Sequence, residues 1–406
     1  MRRIWQAIRQ LGVFFWAPMT LSVIGLTCLY SSASTAGPDM QSVFVRQLLW
    51  WLTGWVLYAL FLRLPVRFFI QSGYVLYGFT LLLLILLFPF GAGPAGRWLD
   101  LGAFRIQPSE IAKLTTVLAA ARCLSADQEG RIPGIRYLAA VWIALLPALL
   151  VLLQPDAATA AVFAVIGAAA LYRAGLSVRI WTMLGLLLLA GLTGVSWPLS
   201  AILFAGLLGF MLIRRRTAWM GAFLLICLLI NRLTPKLLVF VRPYQLDRIR
   251  IFFGLKTDPF GSAYQVIQSK IAIGSGGFFG KGFLQGSQTQ LRFLPEQHTD
   301  FIVSVLGEEF GFFGVFIVLG LFFWLLFRIF LLAETIQNRW AGYVVFCGGA
   351  LLLFQVIVNM GMTIGLFPVM GLPLPFFSYG GSALCTALSL SGLIGQGHLL
   401  RRSYSS

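Results

Sequence analysis

Charged residues are scarce in this sequence. They make up 11% of its 406 residues, whereas soluble domains carry about 25%. Acidic residues are fewer than basic ones: the chain has 13 Asp and Glu and 30 Lys and Arg, which gives a net charge of +17. Hydrophobic residues make up 59% of the chain. The shortage of charge excludes an ordinary soluble domain and predicts an all-α integral membrane protein, a polytopic helical bundle.

Cysteine and histidine are also few, and their spacing indicates neither a metal site nor a disulfide framework. The chain has five cysteines and two histidines. All five cysteines lie in apolar segments without CxxC spacing, so we expect them to be small buried hydrophobes. The excess of Lys and Arg does not indicate nucleic acid, because these residues are scattered between apolar runs without a basic stripe.

Twelve apolar runs predict membrane-spanning helices, each of which needs about 20 residues. The first run follows MRRIWQAIRQ and has no clear cleavage site, so we interpret it as a signal-anchor helix. Short cytoplasmic loops are rich in Lys and Arg, and this rule places both termini inside. The predicted spans are 13–33, 46–63, 69–90, 108–123, 137–154, 157–173, 179–196, 199–213, 217–232, 300–328, 341–365 and 377–399.

The segment 233–299 is predicted to be a large extracytoplasmic loop. Between Arg232 and Asp300, both included, it has nine basic residues and four acids. Five glycines occupy positions 274, 276, 277, 280 and 282, next to Lys270 and Lys281. One interpretation is a loop that faces solvent or lipid headgroups. The other, which we favour, is a cradle for a phosphate-bearing ligand, since glycine lets the backbone approach a ligand closely.

The stretch LRFLPEQHTDFIVSVLGEEFGFF, residues 291–313, places acids where a polar segment meets a long apolar run. An ionisable group at the edge of hydrocarbon is costly unless it has a partner, so Asp300 is a functional-site candidate. Thr299 is a possible N-cap of the following helix. The alternative for Asp300 is a first-turn acid that the helix dipole stabilises.

Four long segments carry a resemblance to a known family. They are GRWLDLGAFRIQPSEIAKL (96–114), LLQPDAATA (152–160), IQSKIAIGSGGFFGKGFLQGSQTQLRFLPEQHTDFIVSVLGEEFG (267–311) and NMGMTIGLFPVMGLPLPFFSYGGSAL (359–384). With these segments the chain resembles the SEDS peptidoglycan glycosyltransferases, and the RodA branch more than the FtsW branch. Members of that family usually have ten spans. The resemblance therefore implies a ten-helix core in a single transmembrane domain, 1–406, with an extra helical hairpin at 197–233.

The resemblance implies an enzyme of the inner (cytoplasmic) membrane that polymerises lipid II into glycan strands on the outer face, for cell elongation and cell shape. Undecaprenyl pyrophosphate would be the leaving group. The implied partners are the nascent glycan strand, a class B penicillin-binding protein that crosslinks it, other membrane proteins of the elongation complex, and membrane lipids. The alternatives are a flippase for the lipid-linked precursor and a non-catalytic scaffold for the penicillin-binding protein. No GxxxxGK[ST] motif is present, and the sequence leaves a divalent cation, Mg²⁺ or Mn²⁺, open.

The resemblance also implies roles for three charged residues. Asp300 corresponds to the family's catalytic aspartate in HTDF and would be the general base on the attacking sugar hydroxyl. Glu110 and Lys113 correspond to residues that line the family's central cavity. Their three-residue spacing puts them on one helical face, so a plain buried ion pair is the alternative.

The remaining candidates are predicted to bind substrate. Arg242, Lys270 and Lys281 are candidates for the pyrophosphates by their charge and their outside location, although each is as readily a solvated charge. His298 would contact substrate or orient its loop through hydrogen bonds. Trp98 would stack on a sugar or anchor the loop at the interface.

The motif PLPFFSYGGSAL, residues 373–384, predicts a broken segment that lines a cavity and presents the Ser378 hydroxyl to it, because non-helical backbone at membrane depth must be covered by protein or water. An ordinary helix start is the alternative. Outside these candidates, Asp156 is interpreted as an N-cap. Glu308 and Glu309 are interpreted as packed polar contacts inside the bundle.

Overall fold

The computed structural model is almost entirely α-helical. The described residues are 10–34, 38–93, 96–100, 102, 105–125, 132–194, 197–214, 217–237, 243–252, 262–291 and 293–403. The helices of this part of the chain are α1 (Val13–Ser34), α2 (Pro38–Arg63), α3 (Val66–Phe90), α4 (Pro108–Ser125), α5 (Gly134–Leu153), α6 (Ala157–Arg173), α7 (Val178–Thr193), α8 (Trp197–Arg214), α9 (Thr217–Leu237), α10 (Pro243–Phe252), α11 (Ser262–Ser275), α12 (Ser287–Gln290), α13 (Ile302–Thr335), α14 (Arg339–Thr363) and α15 (Gly381–Ser403). Two short antiparallel strands, β1 (Leu99–Asp100) and β2 (Arg105–Ile106), form a hairpin between α3 and α4.

Each of the twelve predicted spans coincides with one of these helices. The largest differences are at α2, which begins at Pro38, and at α13, which continues to Thr335. Within the described residues, seven helices are long and apolar enough to cross a membrane, and α6 to α9 contain shorter apolar stretches. The protein is therefore a multi-pass membrane protein. The segment predicted as a large loop contains the three additional helices, α10 to α12.

The chain divides into two compact units. The first comprises residues 1–174 and 257–406, and the second comprises residues 175–256. The second unit holds the predicted extra hairpin as α8 and α9, together with α7 and α10. Inside it, the buried Asn231 side chain donates hydrogen bonds to Ala190 O at 2.9 Å and to Ser200 Oγ at 2.9 Å. This asparagine therefore ties α9 to α7 and α8.

The first unit is built around α4, in which 15 of 18 residues are buried. Helices α3, α5, α6, α14 and α15 all pack against it, and α15 also packs along most of α2. Small residues such as Ala119, Ala120 and Ala121 are fully buried on α4, which lets its neighbours approach closely, as small residues do between membrane helices. The charged side chains at the start of α4 are consequently enclosed by protein.

Candidate active site

Asp300 lies in a tight turn that comes before the long spanning helix α13. The backbone N–H groups of Thr299, Asp300 and Phe301 all donate to the carbonyl oxygen of Glu296, at 3.2, 3.2 and 3.3 Å. The N-cap position of α13 is Phe301, which provides no side-chain cap. The prediction of Thr299 as N-cap is therefore wrong, because its hydroxyl bonds back to Glu296 instead. Asp300 precedes the N-cap residue, so it lies outside the first turn of α13. An acid stabilised by the helix dipole would lie within that turn.

The Asp300 carboxylate lies against the segment 364–380, a non-helical connection between α14 and α15. A Cβ atom added to Gly371 would lie 3.5 Å from Asp300 Oδ2. Two hydrogen bonds join the turn to this connection: Tyr379 N donates to His298 O at 3.0 Å, and the Asn359 side chain bridges Asp300 O and Leu372 O. The turn and the connection therefore form one hydrogen-bonded unit.

His298 is half-buried beside this unit. Its ring centroid lies 5.7 Å from that of Tyr379. Burial lowers the pKa of His298 below its ordinary value, and the nearby Glu296 carboxylate only partly opposes that effect. The imidazole is consequently neutral near pH 7, where it can both donate and accept a hydrogen bond.

Glu110 and Lys113 form a buried ion pair on α4, with Lys113 Nζ 2.6 Å from Glu110 Oε2. Their side chains are 5% and 0% exposed. The pair lines a pocket whose other walls are α14, α15 and the connection. The lining residues are Glu110, Lys113, Leu351, Gln355, Pro373, Leu374, Pro375, Phe376, Ser378, Ala383, Leu384, Thr386, Ala387 and Leu390.

Ser378 belongs to this pocket wall, and α15 begins only at Gly381. The motif PLPFFSYGGSAL is therefore non-helical up to Gly380, and the helix start that was its alternative interpretation lies at Gly381, inside the motif. Its buried hydroxyl accepts a hydrogen bond from Leu374 N at 2.9 Å and so fixes the wall's shape. Asp300 is not among the lining residues. The connection thus lies against Asp300 at Gly371. The residues from Pro373 to Phe376 line the pocket that also contains the ion pair.

Lys270 lies on α11, close to the end of α14. Its ammonium group would be 2.6 Å from a Cβ atom at Gly365. One turn earlier on α11, Val266 packs against the buried cluster of Leu294, Phe301 and Val369. Because this cluster contains the residue that follows Asp300, α11 supports the turn that holds Asp300, and Lys270 is exposed on the same helix.

Lys281 is engaged in an internal ion pair. Its Nζ lies 2.8 Å from Oε1 of Glu308, a carboxylate with no exposed surface. The same carboxylate accepts hydrogen bonds from Gln288 N at 2.8 Å and from Thr289 N at 3.0 Å and its hydroxyl at 2.8 Å. Glu308 therefore caps the short helix α12 from outside it. The second acid, Glu309, is also buried and accepts a hydrogen bond from Ser31.

The glycine-rich loop packs against a break in α13, which gives its glycines a structural role; the phosphate cradle stays a prediction. At Gly311 the backbone leaves the helical region, with φ 65° and ψ −166°. The freed groups bond to the loop: Phe312 N donates to Gly277 O at 2.9 Å, and Glu309 O accepts from Gly282 N at 3.0 Å. A Cβ atom at Gly280 would lie 2.1 Å from Glu309 O. The glycines permit backbone contact with a helix, which satisfies groups that hydrocarbon would leave unpaired.

Trp98 is half-buried in the hairpin before α4, where its backbone pairs with that of Ala92. The preceding Arg97 lies 3.6 Å from the Asp156 carboxylate and donates to Gln154 O at 3.0 Å. Asp156 is the N-cap of α6, as predicted, and accepts from Thr159 N at 3.1 Å. The hairpin is therefore tied to the α5–α6 corner.

Arg242 lies outside the described residues. In the described part of the chain, no three His, Cys, Asp or Glu side chains come together as a metal site would require. A Mg²⁺ or Mn²⁺ ion held mainly by substrate phosphates needs only one or two carboxylates, so a divalent cation stays a prediction.

Sequence reasoning missed Asn359 and the loop-pinning role of Glu308. The signal for Asn359 was available, because a polar side chain within an apolar span is costly unless it is bonded. Its partners, Asp300 O and Leu372 O, were not readable from the sequence, since they lie 59 and 13 positions away.

A family model described as "Cell cycle protein", FtsW/RodA/SpoVE, matches residues 11–402. The chain belongs to this family. It is 36% identical over 397 residues to the peptidoglycan glycosyltransferase MrdB of Escherichia coli strain K12, an alignment that covers 96% of this chain and 95% of that protein. It is 33% identical over 409 residues to the peptidoglycan glycosyltransferase RodA of Treponema pallidum strain Nichols, covering 93% and 94%.

Two solved structures of this family share the fold. The rod shape determining protein RodA of Thermus thermophilus matches with a TM-score of 0.62 and 28% identity, over 96% of both chains. A chain from a study of how a peptidoglycan synthase complex coordinates polymerization and crosslinking matches with a TM-score of 0.69 and 31% identity, over 96% of this chain and 97% of that one. The likeness covers nearly the whole protein, including the segments that carry Glu110, Lys113 and Asp300.

Proposed function

We propose that this chain is a peptidoglycan glycosyltransferase that polymerises lipid II for cell elongation and cell shape, with Asp300 as the general base. Family membership and the near full-length similarity to proteins named peptidoglycan glycosyltransferase support the reaction class. The observation that carries the role of Asp300 is its place in the fold. It is a partly exposed acid on an irregular turn at the end of a spanning helix, and that helix does not use it as a cap.

In the proposed reaction, the Asp300 carboxylate removes the proton from the acceptor's GlcNAc hydroxyl. The hydroxyl oxygen attacks the anomeric carbon of the donor sugar, and undecaprenyl pyrophosphate leaves with the electrons of the broken C–O bond. Inversion at that carbon gives a β-1,4 linkage. A base positioned on the reacting hydroxyl typically contributes 10²–10⁴-fold to the rate. Because the donor carries its own pyrophosphate leaving group, no nucleotide is needed.

The leaving pyrophosphate requires nearby cations. Lys270 is the best placed of the predicted three, since it is exposed on the helix that supports the Asp300 turn. Lys281 is committed to Glu308, so its contribution is to hold the loop in shape. Arg242 remains a prediction. We assign Glu110 and Lys113 to a buried binding pocket next to the connection, and Ser378 lines the same pocket. For His298 and Trp98 we keep the predicted roles of contacting substrate and stacking on a sugar.

The proposed orientation places both termini in the cytoplasm and Asp300 on the outer side of the membrane. The basic residues of the predicted inside loops support this orientation. The proposed partner is a class B penicillin-binding protein, which would crosslink the new strands. The match to a chain studied in a synthase complex that joins polymerization to crosslinking supports this partner.

The test is a polymerisation assay in proteoliposomes with purified lipid II and with or without a metal chelator. The wild-type chain should make long glycan strands, and Asp300→Asn should make none. The matched control is Asp100→Asn, which changes an exposed acid of the hairpin and should leave the rate unchanged. Transport of lipid II without polymerisation would show a flippase. Full activity of a synthase complex that contains Asp300→Asn would show a scaffold.

A further inference from the structure

Asn359 joins the two halves of the site through one side chain. It lies on α14 and is completely buried. Its Nδ2 donates to Asp300 O at 3.1 Å and to Leu372 O at 2.7 Å. A side-chain amide has two N–H donors, so both are used. One acceptor belongs to the catalytic turn and the other to the connection.

The bond from this amide to the Asp300 carbonyl lies outside the hydrogen-bond pattern of the helix. The N–H of Ser304, which would reach Asp300 O in a regular helix, donates instead to Phe301 O at 2.9 Å. Leu372 is likewise outside any helix and is buried. The bond to the Leu372 carbonyl is buried, whereas the bond to the Asp300 carbonyl is only partly buried. A buried carbonyl left without a donor costs about 1–3 kcal/mol, so Asn359 holds the connection firmly while it also binds the turn.

That distance determines what the Asp300 carboxylate faces. The connection passes Asp300 at Gly371, where φ is +70° and where a Cβ atom would lie 3.5 Å from Oδ2. Gly371 is the residue directly before Leu372, whose carbonyl Asn359 holds. Movement of either bonded carbonyl would therefore move the carboxylate relative to the connection, whose next residues line the Glu110–Lys113 pocket.

We propose that Asn359 is a positioning residue, which fixes the Asp300 carboxylate against the connection so that it reaches the acceptor hydroxyl. This inference rests on the proposed function of Asp300. The two hydrogen bonds of the Asn359 side chain go to backbone carbonyls of this chain, so its loss should lower kcat while substrate binding is retained. Misplacement of a catalytic group by about 1 Å can cost on the order of 100-fold in rate.

The experiment compares Asn359→Ala and Asn359→Asp with Asn231→Ala in lipid II polymerisation. Asn359→Asp keeps the size of the side chain but replaces the donating nitrogen with an oxygen that faces two carbonyls. Asn231 is a matched control: a buried asparagine that also bridges helices through its amide, but in the second unit. For both Asn359 variants we expect kcat to fall about 10–100-fold, with KM within about twofold. Asn231→Ala should keep the wild-type kcat per folded molecule.

Folding is checked by thermal unfolding and by lipid II binding, and Asn359→Ser is the milder variant if the others fail to accumulate. A wild-type kcat in any folded Asn359 variant overturns the proposal. So does a kcat loss of the same size in Asn231→Ala, because the effect would then reflect general destabilisation. Activity of Asp300→Asn would instead overturn the proposed function, so the two failures are distinguishable.

Discussion

The buried Glu110–Lys113 pair offers a double-mutant experiment that separates a structural role from a functional one. Lys113 has no exposed surface and Glu110 is 5% exposed at its side chain. Removing one partner of such a pair leaves an uncompensated charge and typically costs about 3–5 kcal/mol. We therefore expect Glu110→Gln alone and Lys113→Met alone to lower the free energy of unfolding by about that amount.

The double variant Glu110→Gln, Lys113→Met should recover most of that loss. Replacing both members of a buried pair by groups of similar volume is often neutral, or stabilising by about 1–4 kcal/mol. Thermal unfolding in detergent measures the recovery. The decisive readout is polymerisation by the folded double variant, which should remain at least about 100-fold below wild type if the charges act on substrate.

Wild-type polymerisation by the stable double variant would refute this reasoning. The pair would then only neutralise two charges inside the bundle, which is the alternative that its spacing left open. A double variant that is no more stable than either single variant would contradict the physical premise instead, because the charges would not be each other's main partner.

Three further perturbations follow from local contacts. Gly280→Ala should lower the unfolding temperature, because the new Cβ atom would lie 2.1 Å from Glu309 O at a φ of +83°. We expect this to cost at least about 1–3 kcal/mol of stability. The control is Gly274→Ala, which should leave the unfolding temperature unchanged or raise it because no atom lies within 4 Å of the added Cβ. Burial lowers the pKa of His298, so the unfolded chain takes up the proton first as the pH falls below about 6.5. Stability therefore decreases from pH 7 to pH 5, and a His298→Gln variant with an equally steep decrease would contradict this. Asp156→Ala should destabilise the protein by about 1 kcal/mol through loss of the α6 cap. Identical melting curves for this variant and the wild type would show that the cap does not stabilise the protein.

The helices were predictable because their signals are local. Each predicted span is a run of apolar residues, and each coincides with a helix of the described chain. The N-cap role of Asp156 follows from an acid just before an apolar run, and the contact between Glu110 and Lys113 follows from helical spacing. These inferences needed no knowledge of how distant segments meet.

The loop around the site was predicted less well because its structure depends on distant contacts. The glycines near Lys281 were interpreted as a phosphate cradle, yet their backbone meets a break in α13 at Gly311. The sequence shows the same glycines in either case. Likewise, Lys281 was assigned to substrate because its partner, Glu308, lies 27 positions later. Composition alone does not reveal which charges are already paired inside the fold.

The central claim is that the Asp300 carboxylate performs the proton transfer. The most direct measurement is single-turnover polymerisation of radiolabelled lipid II by Asp300→Asn, together with lipid II binding by the same preparation. For Asp300→Asn we expect binding within about twofold of wild type and a rate at least about 100-fold lower, the smallest loss expected when a general base is removed. Strand formation by Asp300→Asn at the wild-type rate would contradict it.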